Sequence, residues 1–132
     1  MGKRTPRRLA TVSAWLGALL FALGGAWALA APHSFFEVIA HYPPYNRHLF
    51  HDAGAFQLGI AAALLAGLAG RGGLAAGLWG GAVAASAHAV SHWIDADLGG
   101  RPTDPFVITA VAVILVIGLS AVETKPVRRS SS

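Results

Sequence analysis

The sequence predicts an all-α integral membrane protein, an antiparallel four-helix bundle. Three observations carry this. Of the 132 residues, 55% are hydrophobic and only 12% are charged, whereas a soluble domain carries about twice that charged share. The apolar residues gather into four long runs that contain almost no ionisable side chain. Seven of the ten basic residues collect at the two chain ends, outside those runs, as membrane-flanking charges do.

The chain is expected to be a single domain with helices at 9–31, 48–70, 73–94 and 105–123, and basic tails at 1–8 and 124–132. The first run is uncharged and long enough as a helix to cross about 30 Å of hydrocarbon. It follows "MGKRTPRR" and ends in "ALAA", so it also has the outline of a secretory leader. The run is longer than the usual leader core of roughly 7–15 residues, which favours a retained helix. The segment "APHSFFEVIAHYPPYN" follows; its mixture of Phe35, Phe36, Ile39 and Tyr42 with Glu37 and His41 suits a short amphipathic turn lying in the interface. His33 and His41 are expected to be interfacial only. The Pro43–Pro44 pair breaks the helix, and Asn46 is placed to cap the second one.

The second and third runs are joined by a tight turn around Arg71, which makes them antiparallel neighbours. The "GRGG" at this turn lacks the lysine of a phosphate loop. The third run holds His88 and His92 as its only ionisable groups. The fourth is rich in valine and isoleucine, yet a bilayer forces its backbone bonding inward and therefore keeps it helical.

Orientation follows from charge. With both termini cytoplasmic, eight of the ten basic residues lie inside: Lys3, Arg4, Arg7, Arg8, Arg71, Lys125, Arg128 and Arg129. Arg47 and Arg101 lie outside, with every acid except Glu123 and all six histidines. Trp27 and Trp93 fit an outer aromatic belt. Basic charge split between two ends argues against a nucleic-acid surface, and the absence of cysteine removes disulfides and thiolate metal sites.

Two histidine-bearing stretches carry the candidate chemistry. His48 and Asp52 are four residues apart and share a helix face, which continues as Ala55, Gly59, Ala62 and Ala66. His88 and His92 share a face of the third helix, which runs back through Ala84, Gly81 and Gly77. Small residues at such spacing let membrane helices approach closely. If these two faces pack together, His48, Asp52, His88 and His92 converge, with His51 and Asp95 as supporting partners.

Three imidazoles and a carboxylate suit a transition metal such as zinc, copper or iron. Two histidines on different helices suit the axial positions of a haem. A proton-responsive cluster is a further use. The competing reading treats each side chain singly: Asp52 near a helix N-terminus, His88 and His92 near a C-terminus, each favoured by the helix dipole and by water at the interface. No nucleophile–base arrangement and no His-Glu-x-x-His motif is present, so an enzyme is the less favoured class.

The motifs "YNRHLFHDAGAFQLG" and "HAVSHWID" resemble those of a set of small bacterial four-helix membrane proteins, DoxX-like in size and layout. The resembling chains carry Asn-x-His-Leu-x-x-Asp-x-Gly opening the second helix and His-x-x-x-His closing the third. Here Asn46, His48, Leu49, Asp52 and Gly54 match the first motif, and His88 and His92 the second. Arg47 stands where an acid is common in that set. The resemblance spans residues 10–122 and implies a fold, a bacterial cell-membrane location and a candidate site, but no particular activity.

Two functions are therefore expected. One is a small multi-pass membrane protein binding a metal or haem at an outward His/Asp cluster. The other is a structural or accessory subunit whose small-residue faces bind partner helices or a second copy, in contact with the lipid bilayer.

Overall fold

Proline and glycine divide an otherwise continuous helical chain. The computed structural model describes residues 4–123; Lys3, Lys125, Arg128 and Arg129 lie outside the described residues. The first helix, α1 (Arg4–Ala30), stops where Pro32 disfavours helical backbone at Ala31. Pro32 then opens α2 (Pro32–Val38), a position where its missing N–H is no loss. Asn46 caps α3 (Arg47–Leu68): its side-chain oxygen accepts the backbone N–H groups of His48 and Leu49 at 3.0 and 3.3 Å.

The C-terminus of α3 closes with a paired hydrogen-bond stop. The Arg71 N–H donates to the Ala66 carbonyl at 2.8 Å and the Gly70 N–H to that of Gly67 at 3.1 Å, with Gly70 at φ 78°. This is why α3 ends at Leu68, two residues before the expected boundary. After the turn come α4 (Leu74–Ile94) and, beyond a loop containing Gly99 and Gly100, α5 (Asp104–Glu123). Asp104 in the first turn of α5 complements the positive end of that helix.

The four long helices are each long and apolar enough to cross a membrane. They form an antiparallel bundle in which α1 packs on α3 and α5, and α4 packs on α3 and α5. No strand occurs among the described residues. The mid-bundle core joins Ala10, Ala14 and Ala18 of α1 to Leu64, Leu78 and Leu115, all three leucines fully buried. Glycines bring the helices together: Gly77 of α4 faces the Ala63 carbonyl and Leu64 of α3, and Gly118 of α5 faces Ser13 of α1. At the end where α1 finishes and α3 begins, α2 closes the bundle. There Phe35, Phe36 and Phe50 bury their rings with Ala28, and Tyr45 stacks on Phe50.

One expected packing face differs. The inward face of α3 is Gly54, Ala61, Leu64 and Gly67, while Ala55, Gly59 and Ala62 are exposed. The face that carries His48 and Asp52 is therefore turned away from the bundle. The expected α4 face is buried only in its first half, at Gly77 and Gly81; towards the histidines the inward residues are Ala85 and Ala89, while Ala84 is half-buried and His88 exposed.

Candidate functional site

The histidine-bearing end of the bundle is built from α2, the start of α3, the end of α4 and the two loops at 39–46 and 95–103. The expected pairs both form within their own helices. His48 Nε2 lies 3.4 Å from an Asp52 carboxylate oxygen, with the side chains 84% and 51% exposed. His88 and His92 meet through their Nε2 atoms at 3.0 Å, with ring centroids 4.7 Å apart. The two pairs do not merge: no three His, Asp or Glu side chains among the described residues gather as a metal-holding group. The exposed face of α3 is the physical reason.

His51 is half-buried on α3, and Asp95 caps the end of α4, where its backbone N–H donates to the Ser91 carbonyl. His33 and Glu37 form another pair one turn apart, at 3.6 Å on α2. Trp27 and Trp93 are tied by their indole N–H groups, the first donating to Ser34 Oγ and the second to Thr109 Oγ1.

Tyr42, which residue type alone assigns only to the interface, joins the pair on α4. Its hydroxyl lies 3.0 Å from His92 Nδ1, so Tyr42, His92 and His88 form one continuous polar chain. Burial, with the carboxylates of Asp104 and then Asp95, raises the Tyr42 phenol above its ordinary range, so it keeps its proton. The two loops hold it in place. The Gly100 N–H donates to the His41 carbonyl at 2.8 Å, and the Arg101 guanidinium donates to the Val38 carbonyl. The Arg101 N–H in turn donates to an Asp104 carboxylate oxygen at 2.7 Å.

Glycine is required at the crossing. A Cβ on Gly100, which sits at φ 75°, would lie 2.6 Å from the Tyr42 hydroxyl, and one on Gly99 would lie 2.7 Å from the His41 carbonyl. The Gly99–Gly100 dipeptide was the one available signal for this close approach; fifty residues separate Tyr42 from His92, beyond the reach of any spacing argument.

Comparison of the chain with family models, curated proteins and solved structures gave no match. The geometry alone therefore defines the class: an all-helical bundle with four apolar helices of membrane-crossing length and a histidine pair at one end.

Proposed function

We propose that this is a small multi-pass membrane protein that binds a transition metal at its histidine-bearing end, with both termini cytoplasmic. The observation that carries the metal reading is the convergence of the His88 and His92 Nε2 atoms to 3.0 Å. Two histidines four residues apart on one helix face are a recurrent pair of zinc ligands, and here their ring nitrogens already touch through a hydrogen bond. Zinc, copper and iron all accept imidazole. The orientation is supported by the bias of basic residues toward the ends that carry the termini and the Arg71 turn.

The test is purification in mild detergent, followed by metal analysis and a visible spectrum. The reading expects one metal ion per chain, lost in both His88→Ala and His92→Ala. A Soret band would instead assign haem. No bound metal in the wild type, with both variants equally stable, would sink the reading.

A second reading is favoured by a separate observation. The α3 face running from His48 through Ala55, Gly59 and Ala62 is exposed, and small-residue faces of this kind receive partner helices in membranes. On that reading the protein is an accessory subunit and its histidines are interfacial. Cross-linking through a Gly59→Cys variant in native membranes, with the metal content of the same sample, separates the two.

A further inference from the structure

The pair on α4 is joined by a hydrogen bond between its Nε2 atoms, so an ion bound there would replace one ring proton at a spacing the pair already holds. Its two Nε2 atoms are 3.0 Å apart. With each bonded at about 2.0 Å, they subtend roughly 100° at a metal ion. That angle is an adjacent-vertex arrangement, as in tetrahedral and octahedral sites. A linear two-imidazole copper(I) site would separate the nitrogens by about 4 Å, on opposite sides of the ion. The two axial ligands of a haem also oppose each other, with the macrocycle between them. Side chains one turn apart on a single helix cannot reach around it.

Tyr42 bears on the same site. For His92 to ligate through Nε2, its ring proton must sit on Nδ1, where the N–H donates to the Tyr42 oxygen at 3.0 Å. With no ion present the chain of bonds can run the other way: Tyr42 donates to Nδ1 and the Nε2–H of His92 donates to His88. Metal binding then moves one ring proton of His92 from Nε2 to Nδ1. The strap of Gly100 and Arg101 across His41 and Val38 keeps the phenol where either bond can form.

We infer that His88 and His92 form a cis two-imidazole chelate for a divalent transition metal ion, that Tyr42 positions His92 within it, and that the remaining coordination positions are open to water or an external ligand. The openness follows because no further His, Asp or Glu among the described residues joins the pair. This inference rests on the metal-binding reading above and narrows it to one ion class and one ligand set.

Copper(II) titration of the full chain in detergent, read by electron paramagnetic resonance, tests it. The expected wild-type signal has two coupled imidazole nitrogens and changes on adding azide. Tyr42→Phe should retain the two-nitrogen signature and its metal-free thermal stability, yet bind copper roughly ten- to a hundredfold more weakly, the usual effect of losing an outer partner of a metal-bound histidine. Coupling to three or four imidazoles would overturn the inference, since His48 or His51 would then be ligands. So would indifference to azide, or a Tyr42→Phe titration matching the wild type. Metal bound in any of these other ways leaves the broader reading standing; no metal of any kind removes both. Should Tyr42→Phe fail to fold, nitrogen-15 spectra of the zinc-loaded wild type decide the role of Tyr42. A His92 Nδ1–H protected from exchange by the Tyr42 oxygen is expected, and one that exchanges freely with water overturns it.

Discussion

Gly25 of α1 and Gly54 of α3 face each other with their backbones in contact. A Cβ on Gly25 would lie 2.8 Å from the Gly54 carbonyl oxygen, and one on Gly54 would lie 2.9 Å from the Gly25 carbonyl oxygen. The relationship is reciprocal; the Leu29 and Leu58 side chains crowd the same contact, but the two carbonyl oxygens are backbone and cannot rotate aside. It fixes the start of α3 against the end of α1, beneath the histidine-bearing end.

Gly54→Ala should therefore destabilise the bundle by about 1–3 kcal/mol, the usual cost of overpacking a close contact. Gly59→Ala serves as the control: its Cβ would meet nothing within 4 Å, so it should be neutral or slightly stabilising through alanine's higher helix propensity. Thermal unfolding in detergent, followed by circular dichroism, compares the two. Equal melting temperatures would mean that α1 and α3 do not meet at these glycines.

The Asn46 cap supports a second expectation. Asn46→Ala removes the acceptor for two backbone N–H groups and should cost about 1 kcal/mol, while Asn46→Asp should retain most of the stability. Denaturant titration of the three proteins reads the difference. A loss shared equally by both variants would point away from capping.

Tyr45 gives the opposite sign. Its hydroxyl is buried with no hydrogen-bond partner among the described residues, while its ring packs on Phe36 and Phe50. Tyr45→Phe keeps the ring and removes a group whose burial without a partner typically costs about 1–3 kcal/mol. The melting temperature should rise. A fall would show that the hydroxyl is satisfied in solution.

Tyr42 is expected to show itself at high pH. The chain has two tyrosines, so Tyr45→Phe isolates Tyr42 in a phenolate absorbance titration. Its folded-state pKa is raised by burial and then by Asp104 and Asp95, above the ordinary value of about 10. The native chain thus holds a proton that the unfolded chain has released. The stability this confers is full below the ordinary value and is lost as pH rises through the raised one. Ionisation at or below the value for free tyrosine would contradict the burial.

Much of the architecture could be read directly from residue type. Four uncharged runs specify four helices because a bilayer leaves the backbone few other ways to satisfy its polar groups. Asn46 and Pro32 are local signals, and both act as local chemistry requires. The packing face of α3 was not legible. Alanine, glycine and leucine surround that helix on all sides, so no polar stripe distinguishes Gly54 and Ala61 from Ala55 and Gly59. The histidine-bearing face of α3 is as rich in small residues as the face that packs, so residue type alone would join two pairs that the fold keeps separate. Spacing within one helix revealed His88 with His92, whereas Tyr42 reaches them only through the closure of two distant loops.

The four long helices are unequal. α1 has 27 residues and α5 has 20, or about 40 Å against 30 Å at 1.5 Å per residue. A hydrocarbon slab of about 30 Å matches the shorter helix, leaving α1 roughly two turns in excess. That surplus must tilt or emerge. Its first turns carry Arg7 and Arg8, both exposed, which favour anionic lipid headgroups over hydrocarbon. In a bilayer α1 therefore acts as a depth gauge. Its basic end favours headgroups on one side, and the Gly25–Gly54 contact carries the same depth across to the start of α3 on the other.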